Sequence, residues 1–154
     1  MSRIFSALLA SAVLVALVTV TTTSKHGVRA VYARSGCTDA TLTGNYAFSQ
    51  PGFTTPNKSV KGNEDPAAAV GVFAFDGAGN ISSSYTVAFK GVISAGQTGS
   101  GTYTVNSDCT GSISFTAGDA AGFTLNTVIV GGGIEIFGIA TTPSYTVTVD
   151  AKKQ

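Results

Sequence analysis

Side chains that could carry out acid–base or nucleophilic chemistry are sparse in this chain of 154 residues, and histidine occurs only once. The single histidine is His26, which lies in an N-terminal segment that we predict below to be removed. Serine–histidine and cysteine–histidine catalysis both need an imidazole as the general base. Zinc and copper sites also rely on imidazole or free thiolate ligands. We therefore predict no such catalytic centre, no metal site and no cofactor.

Glu135, in the segment GIEIFGI, is the one carboxylate inside an apolar run. If its side chain points into a cavity, it could act as an acid, a base or an anchor for a ligand. Alternatively it faces solvent while Ile134 and Ile136 face inward, which is the usual arrangement of a carboxylate. Phe137 and Ile139 would share the face of Glu135, and this keeps the first interpretation open.

Two other acidic groupings indicate surface features. Glu64 and Asp65 are neighbours in a proline-bounded loop, whereas a glycosidase holds its two carboxylates apart across a cleft. The segment DGAGN, residues 76–80, offers oxygen ligands between glycines, as a calcium turn does. It has fewer carboxylates than a calcium loop, and the same residue types are typical of a hairpin turn. We predict solvated charge for the first grouping and a turn for the second.

An export signal accounts for the N-terminal residues. Arg3 is followed by an apolar run over residues 4–20, which is the order of regions in a secretory signal peptide. Small residues at the positions that a signal peptidase reads predict cleavage after Ala33, with Ala30 as the rival position. We predict a signal peptide at 1–33 and a secreted or periplasmic protein with no membrane span after cleavage. An uncleaved membrane anchor is the alternative.

The rest of the chain, residues 34–154, has a length typical of one domain. It holds six basic and eight acidic residues, so its formal charge is −2 and it has no basic stripe to bind nucleic acid. Its two cysteines, Cys37 and Cys109, predict one disulfide in an exported protein. Neither lies in a C-x-x-C motif or beside a histidine, so a reactive thiol pair is not indicated.

Alternation of apolar and hydroxyl-bearing residues predicts strands along almost all of this domain. The segment ISSSYTVAF, residues 81–89, is the clearest example, with Ile, Tyr, Val and Phe on one face and mostly Ser and Thr on the other. Short links such as NSD and GGG indicate consecutive hairpins. We predict an all-β fold, an eight-stranded antiparallel up-and-down barrel, with a two-sheet β-sandwich as the alternative. The eight predicted strands are 43–49, 70–76, 80–90, 99–105, 109–116, 122–130, 134–141 and 144–150.

Strand counting places both cysteines at one end of such a barrel, because the odd-numbered strands all begin at the same end. Cys37 precedes the first strand and Cys109 opens the fifth, so a bridge between them is within reach. Link 50–69 would lie at the opposite end and holds three of the four prolines. It would border a mouth, where loops often carry function. The predicted links at this mouth are 50–69, 91–98, 117–121 and 142–143.

Two resemblances accompany this prediction. The segment LTGNYAFS resembles the G-x-W opening of the first lipocalin strand, with Tyr46 at the tryptophan position, and so implies a barrel of the calycin type. The segments CTDATLTGNYAF, GVFAFDGAGNIS and SGTYTVNSDCTGSISF resemble a group of small secreted bacterial proteins with no established activity. The second resemblance implies export, a disulfide and an all-β barrel. It implies no ligand and no catalytic residue.

The function we predict is that of a secreted, non-enzymatic barrel that binds a small apolar ligand at the end carrying link 50–69. The interior of an eight-stranded barrel either fills with side chains or holds one small ligand. A filled interior would instead suit a structural or protein-interaction module of the cell envelope or matrix. A third alternative is a barrel isomerase or cyclase that uses Glu135. The predicted pocket residues are Tyr46, Phe73, Phe75, Tyr85, Phe89, Tyr103, Phe115 and Glu135.

Overall fold

The computed structural model describes residues 36–55 and 64–154 of the chain. The predicted signal peptide at 1–33 and the central part of link 50–69 lie outside these residues. Within them, no helix combines the length and the hydropathy needed to cross a membrane. A short 3₁₀ helix, Asp39–Thr41, precedes eight strands. The strands are β1 (Thr43–Thr54), β2 (Asp65–Asp76), β3 (Asn80–Phe89), β4 (Val92–Val105), β5 (Thr110–Gly118), β6 (Thr124–Val130), β7 (Glu135–Ala140) and β8 (Tyr145–Lys153).

The eight strands form one closed barrel in simple up-and-down order. Each strand pairs antiparallel with the next in sequence, and β8 pairs with β1 to close the cylinder. The closure leaves no free sheet edge, which is what distinguishes a barrel from a two-sheet sandwich. The predicted barrel is therefore confirmed, and the alternation of apolar residues is its cause, since every second residue of a strand faces the interior.

The predicted link 50–69 is wrong at both ends, because β1 continues to Thr54 and β2 begins at Asp65. Its prolines suggested a loop, but two of them, Pro51 and Pro66, occupy positions where a strand tolerates a missing N–H. Pro66 is the second residue of β2 and precedes the β2–β3 ladder, which starts at Ala67. Pro51 pairs with β2, whereas the β1–β8 ladder has no partner for it. The connection that remains spans residues 55–64.

The predicted link 91–98 is also wrong, because β3 and β4 form one long hairpin with a turn of only two residues. Lys90 and Gly91 both have positive φ, at 49° and 81°, which is the backbone of the tight hairpin turn that matches strand twist. The residues of this predicted link after Gly91 belong to β4, and all of them except the half-buried Gln97 are exposed. The hairpin contains one irregularity in register, between Tyr85 and Val87.

The predicted disulfide joins Cys37 and Cys109, whose Cα atoms are 5.1 Å apart across 72 positions of sequence. It fastens the segment before β1 to the start of β5, so the strand count is correct. The 3₁₀ helix lies at the same end of the barrel. There Asp39 accepts a hydrogen bond from the backbone N–H of Val105 at 2.7 Å through its carboxylate. We call this end, which carries the disulfide and the helix, the closed end.

The outer faces are less uniformly polar than the alternation predicted. Serine and threonine cover the outside of β3 and β5, but β6 and β7 expose apolar side chains there. Val128 and Phe137 are direct cross-strand partners on this surface. Ile134 was predicted to face inward and is 63% exposed, because β7 begins only at the following residue. Ile136 is buried in the core, as predicted.

Candidate ligand-binding site

A cavity of about 240 Å³ occupies the end of the barrel opposite the disulfide, which we call the open end. Three phenylalanines that point inward from β1, β2 and β5 form its deepest part: Phe48, Phe73 and Phe115. All three are at most 4% exposed, so the base of the pocket is continuous with the hydrophobic core. Small side chains at Ala69 and Ala120 leave the space above these rings unfilled.

The rings at the base hold each other in fixed orientations. Phe48 and Phe73 are stacked, with ring centroids 4.0 Å apart and planes inclined by 11°. Phe115 lies 6.0 Å from Phe73, and Tyr85 lies 6.5 Å from Phe48. Rings in such mutual contact form a rigid apolar floor against which a flat molecule could pack.

Polar groups lie nearer the open end than this floor. Gln50 is two residues beyond Phe48 along β1, and Tyr145 is the first residue of β8. Tyr85 and Gln97 are cross-strand partners on β3 and β4 and also line the cavity. An apolar floor with a few convergent polar groups is the usual composition of a small-molecule site.

Burial is the main reason that the pKa of Tyr85 is raised above the ordinary value of a tyrosine. The negative charge of Asp119 raises it further, and Tyr145 has a smaller effect in the same direction. The hydroxyl of Tyr85 therefore stays protonated at neutral pH and is available to donate or accept a hydrogen bond. Asp119 and Tyr85 both line the cavity.

The linker between β5 and β6, residues 119–123, forms one wall of the opening. Asp119 accepts a hydrogen bond from the backbone N–H of Thr98 at 2.8 Å, and its own N–H donates to the Thr98 carbonyl at 2.7 Å. At the other end of the linker, the N–H of Phe115 donates to the carbonyl of Phe123 at 2.9 Å. The Phe123 ring meets the Tyr145 ring edge to face at 5.4 Å. These contacts fix the linker to both sides of the opening.

Four of the eight predicted pocket residues line the cavity: Phe73, Tyr85, Phe89 and Phe115. Three others, Tyr46, Phe75 and Tyr103, instead fill the closed end. Phe75 packs edge to face between the two tyrosines, at 5.2 Å from Tyr46 and 5.0 Å from Tyr103. The Tyr46 hydroxyl donates to the carbonyl of Gly133, so this ring belongs to a packed, hydrogen-bonded core.

Glu135 lies on the outer face of β7, away from the cavity. Its carboxylate forms an ion pair with Lys152 of β8 at 3.1 Å, and the two residues are direct cross-strand partners. The interpretation in which Glu135 faces outward and Ile136 inward is the one the geometry agrees with. Phe137 and Ile139 share its face and are also outside the barrel.

Several lining residues were not among those predicted. Phe48 and Tyr145 stand on apolar strand faces, and Phe123 ends the linker before β6. Their distance from Cys109 along the barrel axis would have been the means of selecting them. Asp119 and Ala120 belong to link 117–121, which the strand count placed at the mouth, but they were not among the predicted pocket residues. Among the described residues, no three histidine, cysteine, aspartate or glutamate side chains come together as a potential metal site.

Comparison with family models, with curated proteins and with solved structures finds no match to this chain. The function must therefore be argued from the barrel and its cavity.

Proposed function

We propose that this protein is a non-enzymatic binding protein that takes a small, flat, apolar ligand into the open end of its barrel. The supporting observation is that the barrel is filled at one end and hollow at the other. Tyr46 and Tyr103 complete a solid core beside the disulfide, whereas no side chain of residues 36–55 or 64–154 occupies the cavity above Phe73. An unfilled apolar space forfeits dispersion contacts that a ligand would restore.

The size of the cavity limits the ligand to one or two rings. An apolar protein cavity of about 150 Å³ accommodates benzene, and drug-sized ligands occupy sites of about 300 to 1,000 Å³. The cavity of this barrel, at about 240 Å³, lies between these sizes. A bicyclic aromatic compound or a short branched alkyl chain has the corresponding volume. A long fatty acid would not fit without rearrangement of the linker at residues 119–123.

We further propose that the barrel is of the calycin type and that the protein works outside the cytoplasm. The G-x-Y segment at the start of β1 and the single up-and-down barrel support the first part. The disulfide supports the second, because disulfides persist in oxidising compartments. The signal peptide at 1–33 would provide the export route.

A protein-interaction module is the second candidate function, supported by the outer surface of β6 and β7. Val128, Phe137 and Ile139 are each about half exposed and are neighbours across the two strands. Contiguous apolar side chains on the outside of a barrel favour contact with another molecule. A barrel isomerase or cyclase using Glu135 has no such support, since that carboxylate is outside the cavity and ion-paired.

Filling the cavity tests the binding proposal. Ala69→Phe would place a ring in the opening from β2, whereas Ala68→Phe places the same ring on the outer face of the same strand. We expect wild type and Ala68→Phe to bind indole in titration calorimetry or ligand-observed NMR, and Ala69→Phe to lose at least about tenfold in affinity. Ala120→Leu, which fills the cavity from the linker, should have the same effect.

Indole binding that is equal in wild type, Ala69→Phe and Ala120→Leu would contradict the proposal, as would no binding to wild type. Far-UV circular dichroism of each variant checks that the barrel is intact. If Ala69→Phe disrupts the barrel, the comparison of wild type with Ala120→Leu decides.

A further inference from the structure

We propose that the ligand of the open-end cavity is an organic cation, in which an ammonium group is attached to a flat apolar body. This inference deepens the proposed binding function and rests on it. The electrostatics and hydrogen-bonding groups of the opening provide the argument.

Within the described part of the chain, Asp119 is the only charged residue that lines the cavity. One carboxylate oxygen, Oδ2, accepts the N–H of Thr98 at 2.8 Å. The other, Oδ1, has no hydrogen bond with any residue that the structure describes, so it can accept one from a ligand. The nearby cation Lys90 lies outside the cavity lining and forms an ion pair with Asp65 at 2.9 Å. Among the residues that the structure describes, the cavity lining therefore carries one negative charge and no positive one.

The remaining polar groups of the opening can serve as hydrogen-bond acceptors. An ammonium group has donors only and needs several oxygens around it. The hydroxyls of Tyr85 and Tyr145 and the amide oxygen of Gln50 lie on the lining, and none forms a hydrogen bond with another described residue. Burial and, after it, the charge of Asp119 raise the pKa of Tyr85, so its hydroxyl is neutral in the free protein at pH 7. These three groups could complete the shell that Asp119 begins.

Aromatic rings add a second attraction for a cation. The faces of tyrosine and phenylalanine rings carry negative electrostatic potential, and ammonium ligands are bound in sites walled by such rings. Phe123 and Tyr145 meet edge to face at the opening, on the same side as the linker that carries Asp119. A carboxylate or phosphate ligand would be repelled both by these faces and by Asp119. The flat floor of Phe48 and Phe73 would contact the apolar body of the ligand whether its charged group is positive or negative.

Three compounds with one ring system and different charges test the inference: tryptamine, skatole and indoleacetate. We expect tryptamine to bind about fivefold more tightly than neutral skatole, since an exposed ion pair and a cation–π contact are each weak. Indoleacetate should bind more weakly than skatole. Added salt should weaken tryptamine binding and leave skatole binding unchanged, because screening acts on charge.

Asp119→Asn removes the charge and keeps an oxygen that can accept the Thr98 N–H. We expect it to abolish the advantage of tryptamine, a loss of about fivefold, while skatole affinity stays at the wild-type value. Asp150→Asn, on the outer face, is the matched control and should change neither affinity. If Asp119→Asn does not fold, the salt series on the wild-type protein decides.

The two proposals fail in different ways. Skatole binding without any preference for tryptamine, or a preference that survives Asp119→Asn and salt, overturns the cation inference and leaves the binding function in place. Absence of binding for all three compounds overturns the binding function, and the inference with it.

Discussion

At the scale of single residues, the tyrosines of the interior divide into two groups. Tyr46 and Tyr103 at the closed end are buried, and their hydroxyls bond to backbone carbonyls. Tyr85 and Tyr145 at the open end have no hydroxyl partner among the described residues and line the cavity. A buried hydroxyl that is hydrogen-bonded serves the core, whereas one without a partner at a cavity is available to a ligand.

Tyr103→Phe is expected to lower the free energy of unfolding by about 1 to 2 kcal/mol, because it removes a buried donor that the backbone carbonyls of Asp39 and Leu42 share. The Tyr103 hydroxyl lies 2.8 Å from the carbonyl oxygen of Asp39 and 3.0 Å from that of Leu42. Tyr145→Phe makes the same chemical change at the cavity and should cost less than about 0.5 kcal/mol. Urea denaturation of both variants measures the difference, and equal losses would refute this assignment of roles.

At the scale of elements, glycines mark the places where strand backbones approach closely. Gly101 stands at a register shift between β4 and β5, and a Cβ there would overlap the carbonyl oxygen of Ser114. A Cβ placed on Gly138 in β7 would have its nearest neighbouring atom at 3.4 Å, which is an ordinary van der Waals contact. The β4–β5 irregularity therefore depends on its glycine, whereas the middle of β7 does not.

Gly101→Ala is expected to destabilise the barrel by about 1 to 3 kcal/mol, as overpacking commonly does. Gly138→Ala should be neutral or stabilise slightly, because alanine restricts the unfolded chain. Thermal unfolding followed by circular dichroism gives both values. A Gly101→Ala protein as stable as Gly138→Ala would show that the β4–β5 backbone can move aside.

The lengths of the elements were the least predictable part of the fold. Eight strands and their order followed from alternation, but β1, β2 and β4 are each five to seven residues longer than predicted. Pro51 and Pro66 are tolerated within strands because each lacks a ladder partner on one side. Pro51 has none in β8, and Pro66 has none in β3. Composition records that a residue is a proline and not which neighbour it faces, so local patterns end β1 too early and begin β2 too late.

At the scale of the whole molecule, the disulfide joins two parts of the chain that are far apart in sequence. Cys37 and Cys109 are separated by 72 positions, so the bridge closes a loop that spans more than half of the barrel. In the chain-entropy model, a loop of this length restricts the unfolded chain strongly. The location of the bridge at the filled end leaves the cavity at the other end unaffected.

Reduction of the disulfide is expected to lower the free energy of unfolding by about 4 kcal/mol. Guanidinium denaturation with and without dithiothreitol measures this effect on the wild-type protein. The double variant Cys37→Ser, Cys109→Ser should have the stability of the reduced protein and should not respond to dithiothreitol. Indole binding by the reduced but folded protein should persist, and its loss would mean that the two ends of the barrel are coupled.

The sequence by itself determined the fold class, the strand order and the disulfide, because each depends on periodicity and counting along the chain. It could not determine which aromatic residues meet the cavity, since Tyr46, Phe73 and Tyr103 stand on equivalent faces of their strands. Position along the barrel axis separates them, and that position is set by the stagger between neighbouring strands. The strand count placed link 117–121 at this end, but only the tertiary structure fixes the orientation of Asp119 there, because its hydrogen bonds to Thr98 join residues of different elements.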